Sequence, residues 1–395
     1  MILSKFSQLG EWEKVVFIAF SAIIIILFAG FLGVHLAENS FGYGGSLLPS
    51  PKEFGSGIQT WLVRWDASYF QKIALNGYQA DGIERAFFPL YPLLCGILAK
   101  YTMLPVLWIG FAISGLCFIG ACLVLYKLVK FEYNNDEALY SVFVMSIFPM
   151  SFYFVAFYPE SMFLLLSITS VYFALRGRFI LSGIAIALAG GTSPLAPILA
   201  IPYIVEFISQ RKFSNSRWMH FIIGALVAPM GMLSYLAFIG NYTNVMNGLN
   251  TYATLQASEW YRSFSWPWMT LFNGLEEVLS GRNMHIGWFY QVSSIQNTTF
   301  VLASVAISIY GWFYIRKSIA IYFISGLIFS LATSGPDGNV LMSFPRHMAI
   351  LFPVYIILSR VLIRLNYTKR LIFIGTSILF LIFYTAWFSS GRWVA

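Results

Sequence analysis

Apolar residues run through this 395-residue chain in long blocks separated by short polar breaks. The blocks fall near 14–36, 104–127, 138–156, 160–175, 179–191, 194–208, 218–239, 298–315, 318–333, 345–363 and 371–388, with a shorter apolar stretch at 87–99. This pattern predicts about eleven membrane-crossing helices and one segment lying partly in the bilayer, although several blocks fall short of the ~20 residues a full crossing needs. Pro194 and Pro197 would break a single helix over 179–208, so two short crossings joined at the GGTSP turn are expected. One stretch keeps a different rhythm. Between Trp61 and Pro92, residues Trp61, Leu62, Trp65, Tyr69 and Ile73 recur at three- and four-residue steps, which predicts a short helix with an aromatic face suited to the membrane interface. Ala67, Ser68, Gln71 and Lys72 fall on its other side, Asp66 lies on the border, and Gly77 ends it.

Composition agrees. A hydrophobic fraction of 58% and a mean hydropathy of +0.73 exclude a soluble domain of this length, and no long polar block marks a separate domain. Residues 1–395 therefore read as a single integral membrane domain, all-α and polytopic, with a first outer loop at 37–86 and a long outer loop at 241–296. The first apolar run is too long for a signal-peptide core and is expected to stay as a span. The net charge of +8 is explained by topology and not by nucleic acid. With the N-terminus inside, Lys5, Lys14, Lys127, Lys130, Arg176, Arg178, Arg211, Lys212, Arg217, Arg316, Lys317, Arg360, Arg364, Lys369 and Arg370 all fall in inner loops, as the positive-inside rule requires. A single crossing at 179–208 would move Arg211, Lys212 and Arg217 outside. Cys95, Cys117 and Cys122 show no metal spacing and read as free core thiols.

The same topology puts Asp66, Tyr158, Glu160, Thr192, Asp337, Arg346 and His347 on the outer side, with the loop 241–296 and its many tryptophans and tyrosines. Those rings would stack on sugars or sit at headgroup level as an interfacial cap. Asp66, beside two tryptophans at the membrane boundary, is a partly desolvated carboxylate and hence a better general base; the competing reading is an ion pair with Arg64 or Arg85. Glu160 starts a span, where the helix dipole favours a carboxylate, or else contacts acceptor hydroxyls. Arg346 follows Pro345 in a first helical turn and would fork onto a phosphate, or simply anchor at headgroups. A divalent cation held by Asp66 and Asp81 is compatible with the sequence but not required by it. Walker and Rossmann fingerprints are missing, consistent with a donor arriving as a lipid.

RWDASYFQKIALNGY from Arg64 and AFFPLYPLL from Ala86 resemble the first outer loop of the GPI mannosyltransferase 2 (PIG-V-like) family and its prokaryotic relatives. FPMSFYFVAFYPESMF from Phe148, ALAGGTSPLAPILA from Ala187 and FPRHMAILFPVY from Phe344 fit more loosely, and Gly191–Ser193 stand where the family pattern has a basic residue. The resemblance implies a GT-C-like membrane glycosyltransferase. It would move a hexose, by resemblance mannose, from a polyprenyl-phosphate sugar to a lipid-linked or envelope glycan at the outer face of the membrane. That is the cell membrane in a prokaryote and the endoplasmic reticulum membrane in a eukaryote. It implies Asp66 as the catalytic base, Arg346, Lys72 and Arg64 toward the donor phosphate, and Trp65, Tyr158, Glu160 and His347 toward sugar or acceptor. The partners are then membrane lipids, donor and acceptor, with no nucleic acid. A multi-span transporter or flippase is the rival class; it needs ionisable groups near mid-membrane, whereas here they gather at the outer ends of spans.

Overall fold

The computed structural model describes residues 8–40, 61–210, 214–241, 244–285 and 288–394. Helices dominate these residues, and the only strands among them are Ser263–Phe264 and Thr333–Ser334, which pair antiparallel with Ser263 opposite Ser334. Among the described residues five helices are long and apolar enough to cross a membrane: Glu11–His35, Val106–Glu132, Asn215–Ile239, Tyr290–Tyr314 and Tyr367–Ser389. Glu160–Leu175, Phe179–Gly190, Ala196–Ser209 and Lys317–Leu331 are apolar but shorter. The chain is a multi-pass integral membrane protein of all-α class; helix length alone supports five full crossings, and the remainder of the expected eleven rest on shorter pieces. Its contacts sort into two compact units.

The first unit comprises Met1–Gly77, Tyr91–Thr169 and Leu358–Val394. Here the Glu11–Ser40 helix packs along Tyr367–Ser389. Gly33 permits the approach, because a Cβ at that position would lie 2.2 Å from the carbonyl oxygen of Ala386. Arg360 pairs with Glu137 at 3.1 Å, and Arg370 Nη1 donates to the Tyr140 hydroxyl at 2.9 Å. The expected span 138–156 is not one helix. Asn135–Ile147 stops where Phe148 goes extended ahead of Pro149, and the chain resumes as a 3₁₀ turn at Ser151–Phe154. Cys95 and Cys122 are buried and Cys117 half-buried, all three as free thiols.

The aromatic helix expected from Trp61 begins later, at Ala67–Asn76, and buries Ala67, Phe70 and Ile73. The cause is local: Trp65 has φ 55, so the backbone turns a corner and leaves Trp61, Leu62 and Trp65 outside the helix. Ala67, expected on the polar side, is therefore on the buried one. Gly77 ends the helix as expected, at φ 72, with its N–H donating to the Ile73 carbonyl at 2.8 Å. Part of the first outer loop, 41–60, lies outside the described residues.

The second unit comprises Tyr78–Leu90 and Ser170–Ile357. Glycines again set the crossings: a Cβ on Gly183 would lie 2.2 Å from the Gly224 carbonyl oxygen, and one on Gly248 would lie 1.8 Å from that of Leu236. Phe179–Gly190 and Ala200–Ser209 are separate helices divided by the GGTSP turn and a 3₁₀ turn at Ala196–Leu199, as the prolines predict. Glu206, buried, accepts from Arg316 Nε at 2.7 Å and Nη2 at 2.9 Å. The described part of the stretch 241–296 is mostly helical. Asn244 caps Val245–Trp260 by accepting the Met246 N–H at 2.8 Å; Pro267 opens Pro267–Ser280; Gly281, at φ 60, closes it. The span expected at 345–363 is also divided, into Phe344–Ala349 and Pro353–Arg364.

Candidate active site

In the first unit the triplet Arg64–Trp65–Asp66 forms a held corner. Arg64 is buried; its Nε and Nη2 donate to the Ser389 carbonyl at 3.1 and 2.8 Å, and its Nη1 donates to the Val63 carbonyl at 2.8 Å. The Tyr158 hydroxyl donates to the Arg64 carbonyl at 2.8 Å, and Ser68 Oγ donates to the Trp65 carbonyl at 2.9 Å. Asp66 occupies the N-cap position of Ala67–Asn76. Its backbone carbonyl accepts the N–H groups of Tyr69 and Phe70 at 3.0 and 3.2 Å, while its side chain makes no capping hydrogen bond. The half-buried carboxylate is thus set at a helix start without being used to hold that start.

Glu160 belongs to the same unit. It is the first residue of Glu160–Leu175, is 5% exposed, and sits where the helix dipole favours a negative charge. Tyr158 links the two carboxylate-bearing segments, since its ring meets Phe70 of the Asp66 helix at 5.8 Å. Lys72 is exposed on that helix, away from the buried face.

The second unit gathers a basic cluster. Tyr261, at φ 52, ends the Val245–Trp260 helix and turns the chain into the Ser263–Phe264 strand. That turn brings Arg262 into electrostatic range of His347, which also feels Arg346. All three residues are half-buried. The loop leading to them is pinned: Glu277 accepts the Gly338 N–H at 2.9 Å and the Val340 N–H at 3.2 Å, and Asn283 Nδ2 donates to the Gly338 carbonyl at 3.0 Å. Burial outweighs these N–H bonds and raises the Glu277 carboxyl above the usual range, with the nearby Asp337 charge adding to the rise. Asp337 itself sits in a turn closed by the Asn339 N–H on the Pro336 carbonyl at 2.9 Å.

The profile of the Mannosyltransferase (PIG-V) family matches residues 52–392. The chain belongs to the PIG-V mannosyltransferase family. Among curated proteins, none matches it in sequence. Its fold is similar to the crystal structure of ArnT from Cupriavidus metallidurans bound to undecaprenyl phosphate, with TM-score 0.55, 12% identity, and coverage of 92% of this chain and 63% of that one. The apo form of the same protein gives TM-score 0.51 and 13% identity over 79% of this chain and 57% of that one. The Archaeoglobus fulgidus oligosaccharyltransferase in its apo form aligns at TM-score 0.47 and 13% identity, over 95% of this chain and 56% of its own. The chain thus spans less than two thirds of the length of these structures. The ArnT likeness is one of fold, and it agrees with the GT-C-like architecture expected from the sequence.

In this PIG-V family member several expected site residues have structural duties. Arg64 donates to two backbone carbonyls, those of Ser389 and Val63, and clasps the corner there. Tyr158 is 1% exposed with its hydroxyl on the Arg64 carbonyl, so it supports the corner. Arg346 lies in a helix of only six residues, too short to supply the dipole expected of a full span. Asp66 belongs to the first unit and Asp81 to the second. No group of three or more His, Cys, Asp or Glu side chains able to hold a metal occurs among the described residues. Sequence reasoning missed Ser389, Trp393, Glu277 and Asn283. Glu277 was findable, because Thr270, Gly274 and Glu277 share one helical face; the other three act through tertiary contacts that leave no local signal.

Proposed function

We propose that this protein is an inverting membrane glycosyltransferase that moves a hexose, mannose by family membership, from a polyprenyl-phosphate sugar to a lipid-linked or envelope glycan on the outer face of the membrane. The observation that carries this reading is the held corner at Asp66, in a chain whose family is defined by mannosyl transfer. Asp66 accepts the proton of the acceptor hydroxyl while that oxygen attacks the anomeric carbon. The bond from that carbon to the phosphate oxygen breaks, and the electron pair leaves with the polyprenyl phosphate. Arg346, with Arg262 acting on the same imidazole, supplies positive charge for the departing phosphate; exposed Lys72 is a further cation for it. Trp65, Glu160 and His347 serve the sugar and acceptor. One displacement inverts the sugar centre. Family membership favours this enzyme over the transporter reading.

The test is to incubate membranes containing the protein with radiolabelled polyprenyl-phosphate mannose and acceptor lipids. A labelled product that is no longer the donor is expected. Label that crosses the bilayer but stays in the donor would mean a flippase.

A further inference from the structure

The segment after the last helix lies against the Asp66 corner. Its start is fixed by the two Arg64 bonds to the Ser389 carbonyl. Gly391, at φ 86, turns it, and the Trp393 ring then meets Trp65 edge-on, with centroids 5.0 Å apart and planes at 88°. Trp65 is the residue in the left-handed region at φ 55, a conformation that is unfavourable for a bulky side chain and persists only where the surroundings hold it. Both indole N–H groups are buried with no acceptor among the described residues. Buried indoles ordinarily find one, so ring packing, and not a hydrogen bond within the fold, sets this pair.

We propose that Trp393 is a positioning residue of the transfer site: its ring holds Trp65 in the left-handed conformation that sets the backbone at Asp66, which makes the segment 389–394 part of the catalytic machinery. The inference rests on the reading of Asp66 as the base. Tyr158 holds the carbonyl of Arg64 and Arg64 holds Ser389 ahead of Trp65, Ser68 Oγ holds the Trp65 carbonyl behind it, and Trp393 is the ring packed on Trp65 itself.

The experiment measures turnover, donor KM, acceptor KM and thermal midpoint for full-length Trp393→Leu, Trp393→Phe and Asp66→Asn in lipid. Trp393→Leu removes the ring and should lower turnover by roughly 10²-fold, the scale of a misplaced catalytic group, with any KM change, transmitted through Trp65, well below that factor. Trp393→Phe keeps an aromatic edge against Trp65 while losing the indole N–H and part of the ring, so it should restore turnover to within about threefold of wild type. If Trp393→Leu fails to accumulate, Trp393→Met takes its place under the same criteria. Near-normal turnover in Trp393→Leu with an inactive Asp66→Asn would overturn the role of Trp393 and leave Asp66 standing. Near-normal turnover in Asp66→Asn would overturn the base and the positioning role together. A raised KM in Trp393→Phe equal to that in Trp393→Leu would assign the N–H to substrate instead, and the positioning role would fail.

Discussion

At the scale of single residues, Asp66 and Glu277 illustrate two uses of a carboxylate withdrawn from water, the first half-buried and the second buried. Asp66→Asn keeps the shape and removes the base, and should lower transfer by roughly 10²–10⁴-fold with donor KM largely kept, as measured on purified protein. If turnover survives, Glu160 is the next candidate. Arg346→Ala should lower turnover and raise donor KM, and Arg346→Lys should be milder because it keeps the charge while losing the planar fork. No change in either variant would leave Arg346 as an interfacial anchor. Glu277 gives a pH effect with a definite sign. Its carboxyl is raised by burial, so the folded state binds the proton more tightly than the unfolded chain does. Its contribution is therefore most favourable at low pH and is lost as pH rises from about 4.3, the ordinary glutamate value, through the raised one. The thermal midpoint of wild type should fall across that window relative to Glu277→Gln; parallel curves would mean the group titrates normally.

At the scale of elements, the apolar blocks were legible and their interruptions only partly so. Pro194 and Pro197 announced the break near 190, and Gly77 the end of its helix. The signals at Asn244, Pro267 and Gly281 were equally present, but the polar composition of 241–296 masked them. The break after Ile147 follows from Pro149, and that at Ile350–Phe352 from Pro353, yet both lie inside apolar runs long enough to read as spans. Glycine at helix crossings makes a further prediction. Gly183→Leu should force the Phe179–Gly190 and Asn215–Val227 helices apart, because even a Cβ there would lie 2.2 Å from the Gly224 carbonyl oxygen. A loss of about 1–3 kcal/mol is expected from overpacking, read as a drop in thermal midpoint, whereas Gly375→Leu, with nothing within 4 Å of a Cβ, should be neutral.

At the scale of the whole molecule, the prediction concerns topology. In a background lacking Cys95, Cys117 and Cys122, a cysteine at Ser263 should react with an impermeant thiol reagent in intact cells, and one at Ser214 only after permeabilisation. Labelling of both from outside would rule out two crossings over 179–208 and undo the placement of the later loops.

Membrane residence, helix class and family were determined by the sequence alone, because each rests on composition, on the period and length of apolar runs, or on short contiguous motifs such as RWD and FFPLYP. Asp66 stood out as a candidate base for the same reason. What supports it was not. The left-handed turn at Trp65, the grip of Tyr158 and Arg64, and the approach of Trp393 across 328 positions of sequence, counted from Trp65, all depend on contacts between segments far apart in the chain. A buried arginine or tyrosine reads from sequence as an available polar group. Only tertiary structure shows that a backbone carbonyl has already claimed it, because a buried donor ordinarily pairs with whichever acceptor the fold brings within reach.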